Sequence, residues 1–285
     1  MQITLLDGGL GQEIYRRSKL TEALLWSVEA MLKEPEIVTE VHLEFILAGA
    51  EICTLNTYVA TPTRLRNSNR EDDFELIHSM ADQAVRQAIQ NSKLSIKVAG
   101  CLPPLHGSYL GTPSRTKTSM SDEYAQIVQL HPTVDLWIIE TMTNPHEAEA
   151  AVTAGLESGK PVFLAYRLEK NGKLKSGQTL REVNGCFDHK DLNGILINCS
   201  EPEIISDHIA ELSDFGMPFG AYGNGFVSVE PLASGESVSK LEARADLSPT
   251  KYADYVDQWI SLGATIVGGC CEISPSHIQE IKRRL

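Results

Sequence analysis

The sequence lacks long hydrophobic runs and clusters of basic residues, and we expect no secretory leader. No apolar stretch approaches the roughly 20 residues that span a bilayer, and no basic and then apolar segment follows Met1. With 25 basic and 38 acidic residues the chain has a formal charge of −13, which argues against a nucleic-acid or anionic-membrane surface. We therefore expect a cytoplasmic protein that acts on small molecules and has neither nucleic acid nor membrane as a partner.

A linker rich in proline, glycine and serine is also missing, as is any internal repeat. Gly223-Asn224-Gly225 lacks the third glycine of a Rossmann turn, so a nucleotide site of that type is unsupported. Six cysteines among 285 residues indicate metal-binding or buried thiols rather than a disulfide framework. Residues 1–285 are therefore predicted to form one domain.

Short apolar runs rich in β-branched residues recur along the chain. They are Ile3–Leu6, Glu51–Thr57, Ser95–Leu102, Leu136–Thr141, Pro161–Leu168, Gly194–Ser200, Pro218–Tyr222 and Ala264–Gly269. Most are continuously apolar, as in a parallel sheet covered on both faces. Helical periodicity predicts helices between them, for example over 38–48, 74–88 and 252–260. This alternation predicts a single (β/α)8 TIM barrel, and a doubly wound open sheet is the alternative.

Three details of the connections follow from local signals. A capping side chain before a proline predicts helices that begin just after Asn144, Ser248 and Ser274. The fifth connection, Gln178–Lys190, is expected to be short or irregular. The polar segment Ser234–Lys240 is expected to be a loop after strand seven.

Three cysteines fall at the carboxyl ends of two predicted strands, where the active site of a barrel lies. Cys199 follows strand six, and Cys270 and Cys271 follow strand eight. Thiolates favour zinc, and three protein ligands with one open position define a catalytic zinc site. Such a site suits activation of a substrate thiol, whose pKa is otherwise about 8.5. Ordinary core packing is the alternative for any single cysteine, and it is our prediction for the other three, Cys53, Cys101 and Cys186.

Several segments of the chain form a recognisable series in order along the sequence. They are Leu6-Asp7-Gly8-Gly9-Leu10-Gly11, Trp26-Ser27, Ala48-Gly49-Ala50, Thr54-Leu55-Asn56-Thr57-Tyr58, Glu140-Thr141-Met142-Thr143-Asn144, Ile197-Asn198-Cys199-Ser200-Glu201-Pro202 and Gly268-Gly269-Cys270-Cys271. Together they resemble the homocysteine S-methyltransferase family, which includes betaine- and S-methylmethionine-dependent enzymes. The two cysteine motifs are the most specific part of the resemblance.

The resemblance implies methyl transfer to the thiol of L-homocysteine, giving methionine, with Zn²⁺ on the three cysteines. The residues it implies for homocysteine binding are Asp7, Gly8, Gly9, Thr57, Glu140 and Asn198. Asp7 and Glu140 are expected to bind the ammonium group of homocysteine. The backbone N–H groups around Gly8 and Gly9 are expected to bind its carboxylate. A buried structural salt bridge is the alternative for Glu140. No catalytic residue is expected beyond the zinc-activated thiol of the substrate.

Two segments depart from the family pattern where we expect the methyl donor to bind. Residues 99–104 replace a Gly-Ser-x-Gly-Pro pattern, and residues 221–225 replace Asn-x-Gly-Glu. The chain leaves no room for cobalamin or folate modules, so a small onium donor is expected. S-Methylmethionine or S-adenosylmethionine is preferred over betaine, because the C-terminal extension of the betaine enzymes is missing; for the same reason we expect a monomer.

Aromatic side chains near the predicted rim are candidates for cation–π contact with that donor, with core packing as the alternative. They are Trp26, Tyr58, Tyr109 and Tyr222. Three other functions stay open at this point. The acceptor could be another thiol, Cys270 and Cys271 could serve a thiol redox protein, or the zinc could be structural.

Overall fold

The apolar runs form eight parallel strands in a single sheet, ordered β1-β8-β7-β6-β5-β4-β3-β2. The structure is a computed structural model that describes residues 2–20, 25–109, 111, 115–233 and 240–285. The strands are β1 Thr4–Leu5, β2 Ile52–Thr54, β3 Lys97–Leu102, β4 Leu136–Met142, β5 Val162–Tyr166, β6 Gly194–Asn198, β7 Phe219–Gly223 and β8 Ile266–Gly269. Each lies within or beside the run that predicted it.

The sheet closes into a barrel through contacts between β1 and β2, the strands at the two ends of its order. Leu6 and Ile52 form a parallel bridge. The N–H of Asp7 donates to the carbonyl of Ile52 at 3.1 Å, and the N–H of Glu51 donates to the carbonyl of Leu5 at 2.8 Å. These bonds join β1 to β2, so the predicted (β/α)8 barrel is confirmed and the open-sheet alternative is wrong.

Helices occupy the connections between strands. They are α1 Leu10–Arg17, α2 Trp26–Lys33, α3 Pro35–Ala48, α4 Pro62–Asn67, α5 Phe74–Ser92, α6 Lys117–Leu130, α7 Pro145–Glu157, α8 Leu180–Asn184, α9 Pro202–His208, α10 Glu230–Ala233, α11 Pro249–Ser261 and α12 Pro275–Arg284, with 3-10 turns at Glu71–Asp73 and Ile209–Phe215. The three helices predicted from periodicity are confirmed as parts of α3, α5 and α11. The fifth connection contains only the five-residue α8, as expected. The predicted loop 234–240 lies outside the described residues except for Lys240.

The three predicted helix starts are also confirmed. The side chain of Asn144 accepts from the N–H of Glu147 at 2.8 Å, and that of Ser248 accepts from Lys251 at 3.2 Å. Each of the three helices has proline at its first position, where the missing N–H costs no intrahelical bond.

The core has two layers. Side chains that point into the barrel form one cluster, comprising Leu6, Ile52, Ala99, Leu136, Ile138, Ala165, Leu196, Tyr222 and Ile266. A larger cluster between the sheet and the helices contains fully buried rings such as Trp137, Trp259 and Phe45. Burial of each such large side chain contributes about 1.5–3 kcal/mol relative to exposure. Among the described residues, no helix has the length and apolar character that a bilayer span requires.

Gly220 marks the closest approach between β7 and β8. It pairs with Ile266, and a Cβ atom at this position would lie 1.7 Å from the Ile266 carbonyl oxygen, which is backbone. We expect Gly220→Ala to lower the free energy of unfolding by about 3 kcal/mol or more, because the two strands would have to separate. The measurement is the urea midpoint and slope followed by circular dichroism.

Gly185→Ala is the matched control. Gly185 has φ −90°, and an added Cβ would approach no atom closer than the Glu182 carbonyl oxygen, at 3.6 Å. This variant should unfold at the wild-type midpoint or slightly above it. Equal midpoints for the two alanine variants would contradict the close approach of β7 and β8.

Candidate metal and substrate site

The three cysteines predicted as metal ligands converge at the carboxyl-terminal rim of the barrel. Their Sγ atoms all lie within 4.8 Å of one another. Cys199 is buried, whereas Cys270 and Cys271 are half-buried. Hydrogen bonds from Cys270 and Cys271 lower the pKa of the Cys199 thiol, and the Tyr109 hydroxyl and the Arg167 guanidinium act in the same direction. The cluster therefore favours a thiolate at Cys199.

Backbone hydrogen bonds to strand β7 position Cys199. Its N–H donates to the Tyr222 carbonyl at 3.0 Å, and its own carbonyl accepts from the side-chain amide of Asn224 at 2.8 Å. The other end of that amide accepts from the N–H of Phe226 at 2.8 Å. Cys199 has φ +49°, a conformation that a non-glycine residue keeps only when its surroundings hold it. Asn224 is therefore a positioning residue for the cysteine rather than a free polar group.

The same strand holds the second cysteine loop. The N–H of Cys270 donates to the Gly223 carbonyl at 2.9 Å, and the N–H of Gly225 donates to the Cys271 carbonyl at 2.8 Å. The loops after β6 and β8 are thus both attached to the loop after β7. This shared attachment brings cysteines that are about 70 residues apart into one cluster.

The Asp-Gly-Gly segment after β1 packs directly against the loop after β8. A Cβ atom at Gly8 would lie 2.3 Å from the Ile273 carbonyl oxygen, and one at Gly9 would lie 2.6 Å from that of Cys270. The N–H of Gly9 donates to the Ile273 carbonyl at 2.8 Å. This close packing explains the two glycines, and it means that one of the N–H groups predicted to bind a carboxylate is used within the protein.

Two carboxylates lie at the same rim, with Asp7 buried and Glu140 half-buried. Asp7 is 5 % exposed and accepts from the N–H of Thr54 at 2.8 Å. Burial raises the pKa of Asp7 to about 8, with Glu140 adding to the rise and Thr54 opposing it. Burial raises the pKa of Glu140 to about 7. At neutral pH the Asp7 carboxyl group is therefore mostly protonated and Glu140 is near its midpoint, and among the described residues neither carboxyl group forms an ion pair that would stabilise its charge.

Cys101 provides the closest contact to Glu140. Its Sγ donates to Oε1 of Glu140 at 2.9 Å, and the hydroxyl of Tyr222 donates to Oε2 at 3.4 Å. Cys101 and Cys53 are buried as predicted, whereas Cys186 is exposed, so the core interpretation is wrong for Cys186. It lies just after the short helix α8, in a connection too irregular for periodicity to reveal a buried face. All six cysteines are free.

Asn198 and Thr57, both predicted to contact substrate, have different environments. The amide of Asn198 is fully buried and bonds twice to Thr141, from its Nδ2 to Oγ1 at 2.9 Å and from the Thr141 N–H to its Oδ1 at 2.8 Å. Both ends of the Asn198 amide thus form hydrogen bonds with Thr141, the residue that follows Glu140. The hydroxyl of Thr57 is buried and, among the described residues, has no hydrogen-bond partner.

Two of the candidate aromatic rings already carry an arginine. The Cζ atom of Arg167 lies 5.0 Å from the ring centroid of Tyr109, and that of Arg64 lies 5.3 Å from the ring centroid of Tyr58. The hydroxyl of Tyr109 lies 3.4 Å from Sγ of Cys199. One face of each ring is therefore occupied by a permanent cation. Sequence reasoning missed both arginines as site residues, although Arg167 directly follows a strand.

The remaining two aromatic candidates are engaged differently. Trp26 donates from Nε1 to Gln12 at 3.3 Å, and its ring fills the space in front of Gly11. Tyr222 is 5 % exposed and belongs to the cluster inside the barrel. Of the four rings, Tyr222 and Tyr109 are the ones that contact the carboxylates and thiols of the rim.

A second group of possible metal ligands includes the rim residue Asp7. Potential ligand atoms of Asp7, His42 and Cys53 are within 4.8 Å of one another, and all three residues are buried. Burial lowers the pKa of His42 to about 3, so its ring is neutral. All three of these side chains are buried, whereas Cys270 and Cys271 are half-buried, so the cysteine cluster is the more accessible of the two groups.

The fold and the rim cluster together define a class of protein. In enzymes with this barrel fold the active site is built from the loops at the carboxyl ends of the strands, and here those loops carry the converging thiols and carboxylates. The sequence model of the homocysteine S-methyltransferase family matches residues 4–285. The chain belongs to this family, which confirms the resemblance in its motifs, and it is a methyltransferase.

Individual relatives agree with this assignment. The chain is 29 % identical to the homocysteine S-methyltransferase of Escherichia coli (strain K12), over 99 % of this chain and 95 % of that protein. It is 24 % identical to the selenocysteine methyltransferase of Astragalus bisulcatus, over 99 % and 92 % of the two chains. The crystal structure of the metallated form of the homocysteine methyltransferase MmuM from Escherichia coli has the same fold, with a TM-score of 0.81 at 24 % identity, covering 100 % of this chain and 97 % of that one.

The raised pKa of Asp7 predicts a pH-dependent effect of Asp7→Asn on stability. An unfolded aspartate titrates near 3.9, so between about pH 4 and pH 8 the folded chain holds a proton that the unfolded chain has released. Wild-type stability should therefore fall relative to Asp7→Asn across this window and level off above it. We expect the difference in unfolding free energy to grow by at least about 1 kcal/mol.

Urea unfolding at a series of pH values measures this difference. Asp72→Asn, a change at an exposed carboxylate, serves as the control and should track the wild type throughout. A constant offset between Asp7→Asn and wild type from pH 4 to pH 8 would refute the raised pKa.

Proposed function

We propose that the protein transfers a methyl group from a small onium donor to the thiol of L-homocysteine, giving methionine, and that it does so with Zn²⁺ bound by Cys199, Cys270 and Cys271. The observation that carries this proposal is the convergence of the three Sγ atoms within 4.8 Å. At a Zn–S distance of about 2.3 Å, thiolates in a tetrahedral site lie about 3.8 Å from one another. The donor set therefore fits zinc. The related enzyme MmuM has a metallated form, which gives further support to a bound metal ion.

Bound zinc would supply deprotonation of the substrate thiol at neutral pH. The chain itself contributes the charge and position of the ligands. Three thiolates from the chain would give the centre net negative charge, which would preserve the nucleophilicity of a substrate sulfur held there. The bond between Tyr109 and Cys199 and the bond between Asn224 and Cys199 hold that ligand in place before substrate arrives. This pre-organisation is a common source of ligand strength at metal sites.

Asp7 and Glu140 are proposed to bind the ammonium group of homocysteine. Asp7 is buried and Glu140 is half-buried. Neither forms an ion pair within the part of the chain that the structure describes, and both have a raised pKa. An arriving ammonium would favour the ionised carboxylates, so proton release would accompany formation of the ion pair. Thr57, with its unpartnered buried hydroxyl, is proposed to contact the same substrate, as are the N–H groups at Gly8. Asn198 is proposed to act through Thr141.

The methyl transfer itself needs alignment more than acid or base catalysis. A new bond forms between the methyl carbon and the homocysteine sulfur, and the bond from that carbon to the donor's positive atom breaks. The electron pair of the broken bond stays with the donor, which leaves as a neutral thioether or amine. Positioning two reactants in line is a large part of the acceleration available to such a reaction.

S-Methylmethionine and S-adenosylmethionine are the preferred donors, and betaine is the alternative. Another acceptor is favoured by one specific observation. The chain is similar over almost its full length to a selenocysteine methyltransferase, so a selenol is a second candidate for the methyl acceptor. A selenol is also deprotonated on a soft metal ion.

The decisive assay measures methionine formation from homocysteine with each of these three donors on the zinc-loaded protein, with selenocysteine as the parallel acceptor. We expect turnover with at least one sulfonium donor and less with betaine. If zinc is bound and no donor yields methionine or methylselenocysteine, the proposed reaction is wrong and a structural zinc site is favoured. A metal-free protein that keeps full activity after thiol reduction would contradict the zinc site.

Cys199→Ala tests the ligand set. Loss of one of three thiolates should reduce bound zinc from one equivalent to below about one tenth, and methyl transfer should fall with it. Metal content by mass spectrometry and turnover are the two measurements. Cys186→Ala removes an exposed cysteine and should leave both at the wild-type level. Full zinc occupancy in Cys199→Ala would remove Cys199 from the ligand set.

A further inference from the structure

Arg167 is a buried cation beside the thiol cluster. It follows strand β5 and is 9 % exposed. Its guanidinium lies against the ring of Tyr109, with Cζ 5.0 Å from the ring centroid, and the hydroxyl of that tyrosine is 3.4 Å from Sγ of Cys199. The guanidinium is therefore one side chain away from the sulfur cluster where the methyl group would be transferred.

The charge of Arg167 is only partly balanced within the protein. Its Nη1 forms an ion pair with Glu169, but Glu169 also lies 3.8 Å from the ammonium of Lys175. One carboxylate is therefore shared by two cations. The Nε atom of Arg167 is buried and, among the described residues, has no hydrogen-bond partner. A buried N–H donor without a partner is costly, and a buried charge is tolerated only when it is paired.

A bare onium cation is a poor neighbour for this guanidinium, because two positive charges in a low-dielectric site repel each other. A donor that also carries a carboxylate reverses the sign of the interaction. The planar guanidinium fork matches a carboxylate in geometry and charge, and such bonds are about twice as strong as neutral ones.

We propose that Arg167 binds the carboxylate of the methyl donor and so selects donors that carry a carboxylate beside the methylated cation. This inference rests on the proposed methyl transfer and adds to it the residue that recognises the donor. It assigns Arg167 to the donor and leaves homocysteine to Asp7, which follows β1, and to Glu140 on β4.

The test compares S-methylmethionine with trimethylsulfonium, which has the same methylated sulfur without a carboxylate. Calorimetry measures binding of each to the zinc-loaded protein, and steady-state kinetics measures KM for donor and for homocysteine. In Arg167→Gln we expect donor KM and Kd for S-methylmethionine to rise by at least about tenfold, with trimethylsulfonium binding unchanged or tighter. Zinc content and the KM for homocysteine should stay at the wild-type values.

Two further variants separate binding from structure. Arg167→Lys keeps the buried charge without the fork and should recover part of the affinity for S-methylmethionine. Glu169→Gln removes the ion-pair partner but leaves the guanidinium, and should bind S-methylmethionine at least as well as wild type. If Arg167→Gln fails to fold, the affinities of Arg167→Lys and Glu169→Gln for S-methylmethionine and trimethylsulfonium still test whether the guanidinium binds the carboxylate.

Three results would overturn the inference. They are equal loss of affinity for both sulfonium compounds in Arg167→Gln, a rise in the KM for homocysteine in that variant, and wild-type protein that binds S-methylmethionine no better than trimethylsulfonium. The last is measured without turnover. It therefore remains distinct from failure of the proposed function, which would appear as binding of S-methylmethionine without methyl transfer.

Discussion

The hydrogen-bond register of strands β6, β7 and β8 is the constraint on which the site depends. Asn198 pairs with Tyr222 across β6 and β7, and Gly223 pairs with Gly269 across β7 and β8. The residue after Asn198 is Cys199, and the residue after Gly269 is Cys270. The N–H of each cysteine donates to a carbonyl of β7 and so continues the hydrogen-bond ladder. A one-residue shift in the pairing of β6 with β7, or of β7 with β8, would turn the cysteine side chains to the opposite face of the sheet. Register therefore determines whether the thiols meet.

Charge is the second organising feature of the rim. The barrel interior offers little solvation, so the carboxyl groups of Asp7 and Glu140 favour their protonated forms and the thiol cluster gains only one thiolate easily. The Arg167 guanidinium lies over the ring of Tyr109, and the hydroxyl of that ring contacts Cys199. The rim thus combines two carboxyl groups of raised pKa with an arginine whose ion-pair partner is shared with Lys175, an arrangement that the ammonium and carboxylate of an amino acid would complement.

The segments that depart from the family pattern contribute directly to this arrangement. Cys101, where the pattern has a serine-containing turn, donates to Glu140 and so orients that carboxylate. Asn224, in the segment that lacks the family's acid, uses both ends of its amide to hold the loops around Cys199. Both departures thus alter groups that position the site, and neither adds a new charge to it.

Much of this protein was readable from its sequence because the relevant signals are local. Eight apolar runs and the periodicity between them predicted a barrel, since a strand buried on both faces must be continuously apolar. The Asn-Cys and Gly-Gly-Cys-Cys motifs identified the thiol cluster and the family. Capping residues before proline located three helix starts, because the first turn of a helix needs a side-chain acceptor.

Tertiary structure decided what no local pattern records. The closure of the sheet rests on the bridge between Leu6 and Ile52, which are distant in sequence. The exposure of Cys186 and the burial of Arg167 depend on which loops cover them, and side-chain type alone argued for the opposite in each case. The partner of a polar group, such as Thr141 for Asn198 or Glu140 for Cys101, is a property of neighbouring strands. Sequence therefore determined which chemistry is present, and packing determined which groups are free to use it.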